Sequence, residues 1–169
     1  SQLLDIGCGS GCLLISCLRE LKKSIGIGLD ISSDALAVTK INVKNYKLNK
    51  RVELHKESIF NFLSLKKFDV ILSNPPYLSS AEYDNLEIDV KNFEPKTALK
   101  GGHDGTSHYK KIITFASMSL KKNGLLALEL GDQQFFKIKE MLAENSFRVL
   151  DKYRLINGEI RCILASKIG

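Results

Sequence analysis

Long apolar runs are missing from this sequence: no stretch approaches the ~18 consecutive apolar residues that a membrane span needs. Paired cysteines are missing as well. Cys8, Cys12, Cys17 and Cys162 form no C-x-x-C spacing, and three of them crowd into one early stretch. Neither a zinc site nor a disulfide framework is indicated, and the four read as small buried thiols in a reducing compartment. There is no signal peptide and no initiator methionine: Ser1 stands one residue before an apolar strand, as expected of a segment cut from a longer protein. Internal repeats and low-complexity tracts are also absent, and no break in composition marks a second domain.

What is present suits one globular domain, residues 1–169. A chain of 169 residues can bury roughly 70% of its unfolded surface, enough for a core without covalent staples. Hydrophobic residues at 44% and charged residues at 26% argue against disorder, collagen and coiled coil. The balance of 25 basic to 19 acidic residues leaves a formal charge of +6. That permits an anionic partner, but lysine is spread over the whole chain and arginine is scarce, so solvated surface is the plainer reading.

Hydrophobic period and punctuation predict alternating strands and helices. Strands are expected at Leu3–Ile6, Ile25–Asp30, Val52–His55, Phe68–Ser73 and Leu125–Leu130. Helices are expected at Cys12–Lys22, with Leu13, Leu14, Cys17, Leu18 and Leu21 at helical spacing, and from a cap at Ser32 or Ser33 to about Tyr46. Two more follow at Tyr109–Leu120 and Phe135–Glu144. The end differs: Phe147–Tyr153 and Arg161–Ala165 have strand character around an Asn157-Gly158 turn, a hairpin signal. The fold class is therefore α/β, a mostly parallel sheet with helices on both faces and an antiparallel C-terminal hairpin edge. The segment from Asn74 to His108 lacks a convincing long element, and connections of that length are often functional.

Ligands of open α/β sheets bind beyond the carboxyl ends of the strands. The first such end reads Asp5-Ile6-Gly7-Cys8-Gly9-Ser10-Gly11, where glycines permit a tight turn and close approach to a ligand. The spacing is G-x-G-x-G, not the G-x-G-x-x-G of dinucleotide folds. The second strand ends in Gly28-Leu29-Asp30, and a carboxylate there can accept both hydroxyls of a ribose. Together these favour a nucleoside-type cofactor, and the missing dinucleotide spacing tilts the choice from a nicotinamide dinucleotide toward S-adenosylmethionine.

The fourth strand runs into Asn74-Pro75-Pro76-Tyr77, the most specific signal in the chain. Two prolines fix two φ angles, and the first restricts Asn74 to extended backbone. The result is a stiff ledge that holds the Asn74 carboxamide oxygen near a backbone carbonyl. Two adjacent acceptors suit a planar –NH2 group, which has two donors to offer. Tyr77 offers a flat face for that group.

With these motifs, the chain resembles the class I S-adenosylmethionine-dependent methyltransferases, a Rossmann-like group, that act on amide or exocyclic amine nitrogens. Glu94-Pro95, then Ala98-Leu99-Lys100-Gly101-Gly102-His103-Asp104-Gly105, then Tyr109-Lys110-Lys111-Ile112, with Leu128-Glu129-Leu130-Gly131 and Gln134, narrow the resemblance to the HemK/PrmC family. Its members are protein-(glutamine-N5) methyltransferases of peptide-chain release factors.

The resemblance implies S-adenosylmethionine held by Asp5, Gly7, Gly9, Gly11, Asp30, Ile31, Ser58 and Asn74. It implies catalysis by Asn74, Pro75 and Tyr77, and an acceptor bound by Asn74, Pro75, Pro76, Tyr77 and Glu94, with no metal. It further implies a cytoplasmic enzyme of translation termination, with a release factor as partner, no membrane, and no direct nucleic-acid contact expected. Three departures stand out. The family's N-terminal helical domain is absent from this chain. Ser58, with Glu57 beside it, stands where an acidic residue is common. The family's D-L-x-G-x-x-R reads Leu155-Ile156-Asn157-Gly158-Glu159-Ile160-Arg161, which keeps Gly and Arg and loses Asp. Other readings stay open: an adenine-N6 nucleic-acid methyltransferase, a ribosomal-protein glutamine as acceptor, or a non-catalytic binding module. His55, His103 and His108 show no ligand spacing and read as surface or loop residues. Glu129 and Gln134 read as loop anchors.

Overall fold

The structure, a computed structural model, describes residues 1–85 and 101–168. Strands β1 (Gln2–Ile6), β2 (Ile25–Asp30), β3 (Val52–Lys56), β4 (Phe68–Ser73) and β5 (Leu120–Glu129) run parallel, and β6 (Phe147–Arg154) and β7 (Ile160–Lys167) form an antiparallel pair. The sheet order is β3-β2-β1-β4-β5-β7-β6. The chain thus winds outward from β1 to β3 and returns to pair β4 against the other side of β1. That reversal creates a switch point between the ends of β1 and β4, where ligands of such sheets bind.

Two core clusters sandwich the sheet. On one face, helices α1 (Cys12–Glu20) and α2 (Ser33–Asn45) bury Leu14, Ile15, Leu18 and Val43 against Leu3. The inward stripe of α1 is therefore Leu14, Ile15 and Leu18, while Leu13 and Leu21, read as part of the apolar face, are exposed. The larger cluster contains Tyr109, Ile112, Ile113 and Ala116 of α4 (Ser107–Ser119), Ile138 and Leu142 of α5 (Phe135–Glu144), and Leu126 and Leu128 of β5. Of the cysteines only Cys8 is buried. Cys12 is exposed because it opens α1 on its solvent side, and Cys17 and Cys162 are half-buried, so the reading of four buried thiols is corrected.

β5 departs furthest from its expected bounds. β5 starts at Leu120 rather than Leu125, because buried Leu120 pairs with buried Phe68 before the register jumps to Val70 opposite Leu125. Asn123, in left-handed backbone at φ 60°, absorbs that irregularity. The described part of the segment read as lacking a long element contains a short turn of helix, α3 (Ser80–Asp84), closed by a capping box between Ser79 and Glu82. The C-terminal hairpin forms as expected, with β7 extended to Lys167. Among the described residues no helix is long and apolar enough to cross a membrane.

Candidate functional site

At the end of β1 the backbone leaves the sheet but stays tied to β2: the N–H groups of Gly7 and Cys8 both donate to the Leu29 carbonyl, at 2.8 and 3.0 Å. Gly7, Gly9 and Gly11 have φ of 71°, 55° and 79°, a region that a Cβ makes costly. A Cβ at Gly7 or Gly9 would meet nothing within 4 Å. Their backbone therefore borders open space, while Gly11 does the opposite: a Cβ there would fall 2.7 Å from Thr39 Cγ2 of α2. Helix α2 also grips the loop through hydrogen bonds. Thr39 Oγ1 donates to the Gly9 carbonyl (2.6 Å) and Asn42 Nδ2 donates to the Ser10 carbonyl (2.9 Å).

Two carboxylates flank this loop in different surroundings. Asp30 Oδ2 accepts from Gly9 N–H (2.8 Å) and Oδ1 accepts from Ser32 N–H (2.9 Å). Each oxygen keeps a further lone pair. Asp5 is buried at 1% exposure; its Oδ2 accepts from Leu14 N–H at 3.1 Å, and its Oδ1 has no partner among the described residues. Burial pushes the Asp5 carboxyl up to about 7, against the Leu14 N–H and helped by the nearby charge of Asp30.

On the other side of the switch point, Ser73 Oγ donates to the Ile6 carbonyl (2.7 Å), which stitches the ends of β4 and β1 together. Asn74 then emerges exposed, Pro75 is buried and Pro76 half-buried. The ledge is buttressed from behind. Gly101 N–H donates to the Leu78 carbonyl (2.7 Å), and a Cβ on Gly101 would sit 2.6 Å from the Pro76 carbonyl oxygen. Gln134 Nε2 donates to the Tyr77 carbonyl (2.9 Å) while its Oε1 accepts from Gly131 N–H (3.1 Å). The Tyr77 hydroxyl accepts from Arg161 Nη2 (2.5 Å), and the guanidinium lies 4.9 Å from the Tyr77 ring centroid.

A cleft of about 360 Å³ joins the two halves. Gly7, Gly9, Asp30, Ile31 and Ser58 line it together with Asn74, Pro75 and Pro76. Thus eight of the expected site residues share one cavity, within the size range of small-molecule sites. Asp5, Gly11 and Tyr77 lie outside that lining: the first two stand behind the glycine loop, and Tyr77 packs against the larger core cluster. Glu94 lies outside the described residues.

Residues 1–90, the span that contains the glycine loop, Asp30 and the Asn-Pro-Pro-Tyr ledge, match the family model described as methyltransferase small domain. The chain belongs to that family. Among curated relatives of this methyltransferase domain is the release factor glutamine methyltransferase of Fusobacterium nucleatum, 39% identical over 169 residues, covering 98% of this chain and 47% of the relative. Another is the bifunctional methyltransferase of Rickettsia felis, 36% identical over 169 residues, covering 100% of this chain and 32% of the relative. The chain therefore spans less than half the length of either. The crystal structure of an S-adenosylmethionine-dependent methyltransferase from Clostridium acetobutylicum shares the fold at a TM-score of 0.69 and 15% identity, covering 99% of this chain and 84% of that one.

The residues present fit a nucleoside-bearing methyl donor. The open space above Gly7 and Gly9 leaves room for close approach, and Asp30 retains acceptor capacity. Several lining residues of the methyltransferase cleft escape sequence reasoning. Ala35 and Val38 enter from α2 and Ile59 from beyond β3; they are ordinary apolar residues in a pattern that a core would share. His108 also lines the cleft, edge-on to Phe60 with ring centroids 5.3 Å apart. It is thus not a surface residue: α4 begins at Ser107, two residues earlier than expected, and its first turn carries the imidazole to the cleft wall. Burial there pushes its pKa down. Thr39 was legible only as a helix residue, although a buried threonine hydroxyl must find an acceptor. Gln134 anchors the loop as expected.

Proposed function

We propose that this methyltransferase domain transfers a methyl group from S-adenosylmethionine to the side-chain amide nitrogen of a glutamine in a peptide-chain release factor. The observation that carries the reading is the exposed Asn74 carboxamide at the mouth of β4, in one cleft with Asp30 and the glycine loop. The name of the Fusobacterium relative supports the same chemistry and acceptor, and that of the Rickettsia relative supports methyl transfer. Residues 1–169 act in this reading as one catalytic domain, in the cytoplasm and in translation termination, with direct nucleic-acid contact unnecessary.

The methyl donor supplies an electrophilic methyl group on a sulfonium. The chain's own residues hold it and present the acceptor. The remaining lone pairs of Asp30 take the ribose hydroxyls, with Ile31 and Ser58 beside them, while the backbone of Gly7 and Gly9 lies against the donor. A glutamine amide nitrogen is a poor nucleophile because its lone pair is delocalised into the carbonyl. Asn74 Oδ1 and the Pro75 carbonyl accept its two N–H groups, which draws electron density toward nitrogen and aims it along the line of transfer. Orientation of this kind contributes about 7 kcal/mol or more to lowering a barrier, fixed dipoles stabilise charge that develops at nitrogen as N–CH3 replaces S–CH3, and one of the two amide protons is then lost to water, leaving a neutral thioether and the N-methylated amide. The family resemblance adds Glu94 to the acceptor side, and Tyr77 anchors the ledge from its far end.

Methyl transfer from labelled S-adenosylmethionine, measured with the full-length protein against a release factor, a ribosomal protein and adenine-containing oligonucleotides, tests the assignment. Label in the release factor alone supports it. Label only in ribosomal protein or oligonucleotide replaces it with the corresponding alternative.

A further inference from the structure

The Asn-Pro-Pro-Tyr ledge has an unusual mechanical problem. Pro75 and Pro76 carry no N–H, so two consecutive residues cannot be fixed by donating to a neighbouring strand. Their position must be set from the flanks. On the β4 side Ser73 Oγ holds the Ile6 carbonyl at 2.7 Å. On the far side the fixed point is Tyr77: Gln134 Nε2 holds its carbonyl at 2.9 Å, and its hydroxyl is held by a residue 84 positions away, Arg161 of β7, at 2.5 Å.

Arg161 is itself fixed independently of Tyr77. Its carbonyl accepts from Leu130 N–H at 2.9 Å. Its guanidinium pairs with Glu129 at 3.1 Å and Asp132 at 3.5 Å. The planar fork of arginine can serve a carboxylate and a hydroxyl at once while its face covers the Tyr77 ring, which a point charge such as lysine cannot do in full. Arg161 does not line the donor cleft, and its half-buried side chain stands outside the apolar core clusters, so neither donor contacts nor the apolar core explain its place.

The geometry points to Arg161 as a positioning residue: it fixes Tyr77, and through Tyr77 it sets the Asn74–Pro75 acceptor pair at the distance that methyl transfer requires. The inference rests on the ledge being the acceptor site of the proposed reaction. It also gives the antiparallel hairpin a task, which is to deliver one guanidinium to the end of β5. One consequence follows for Tyr77: the ring face under Arg161 is taken, so the acceptor amide meets the ledge elsewhere.

A misplacement of about 1 Å at a reacting group can cost on the order of 100-fold in rate. In the full-length protein, Arg161→Met should therefore lower kcat at least about 10-fold while the S-adenosylmethionine Kd by calorimetry stays within about two-fold. Arg161→Lys should recover part of kcat. Tyr77→Phe, which keeps both ion pairs of Arg161, should lower kcat by a similar factor, and the double variant should be no slower than the slower single. Hydrogen exchange read by mass spectrometry gives an arm independent of any acceptor: Arg161→Met should speed exchange at residues 77–85 and leave residues 1–30 unchanged. Unchanged exchange at 77–85, a kcat within two-fold of wild type, or multiplicative losses in the double variant would overturn the inference. If Arg161→Met does not fold, Tyr77→Phe carries the same comparison. Failure of the wild-type protein to methylate a release factor would instead sink the proposed function, and the exchange arm would still decide the clamp.

Discussion

Replacing Asp5 by asparagine should yield a protein whose stability responds to pH differently from that of the wild type, by an amount fixed by one carboxyl. Asp5 is buried at 1% exposure and its pKa is pushed up to about 7 from an ordinary 3.8, with burial the main cause. The folded state therefore binds this proton more tightly than the unfolded chain does. The stabilisation from proton binding is complete below the unfolded value and is lost as pH rises through the folded one. Between about pH 5 and about pH 8 a single group with these two values removes roughly 3 kcal/mol of stability. Asparagine cannot ionise, and its side-chain oxygen can still accept from Leu14 N–H. Urea unfolding of both proteins across that range, without ligand, isolates the term, because every other group titrates in both. The difference in stability should move in favour of the variant by roughly 3 kcal/mol as pH rises. A difference that is constant with pH would refute the reasoning and return Asp5 to an ordinary ionised carboxylate.

Three further outcomes are expected. Asp30→Ala should weaken S-adenosylmethionine binding by about 10- to 100-fold in calorimetry, because it removes the free acceptor lone pairs and also releases Gly9 N–H and Ser32 N–H; unchanged affinity would reject the ribose assignment. Gly11→Ala should destabilise the protein by about 2 kcal/mol or more in urea unfolding, since the residue sits at φ 79° and its Cβ would strike Thr39. Thr39→Val, nearly the same shape, should cost about 1 kcal/mol and loosen donor binding by a few-fold, because the Gly9 carbonyl loses its 2.6 Å hydrogen bond; a variant of wild-type affinity would show that the loop holds itself.

The parts legible in the sequence are those where local chemistry and global fold agree. The apolar runs of β1 and β4 and the glycines after β1 each mark their element without tertiary help. Asn74-Pro75-Pro76-Tyr77 is legible because proline acts through covalent geometry alone. Less is readable where tertiary contacts decide. Lys121-Lys122-Asn123-Gly124 has the look of a turn, yet buried Leu120 opposite Phe68 draws the strand back to Leu120. In α1 the apolar residues exceed what one face can hold, so periodicity could not tell Leu13 from Ile15. The largest gap concerns glycine and arginine at a distance. In the sequence Gly101 stands only as one residue of the Ala98–Gly105 motif, but in the structure it closes against the Pro76 carbonyl, behind the ledge. Likewise Arg161 stands out only as a retained motif residue, and its contact with Tyr77 across 84 positions depends on how β7 is laid beside β5.

The central claim is that Asn74 presents a glutamine amide of a release factor to a methyl donor held by the glycine loop and Asp30. It is tested most directly by peptide mass spectrometry of a release factor incubated with S-adenosylmethionine and the full-length protein, beside the same reaction with Asn74→Ala. The account predicts one methyl group on a glutamine side chain with the wild-type protein. With the variant it predicts none, at S-adenosylmethionine affinity within a few-fold of wild type. An unmodified release factor in the wild-type reaction, or equal methylation by the variant, would contradict it.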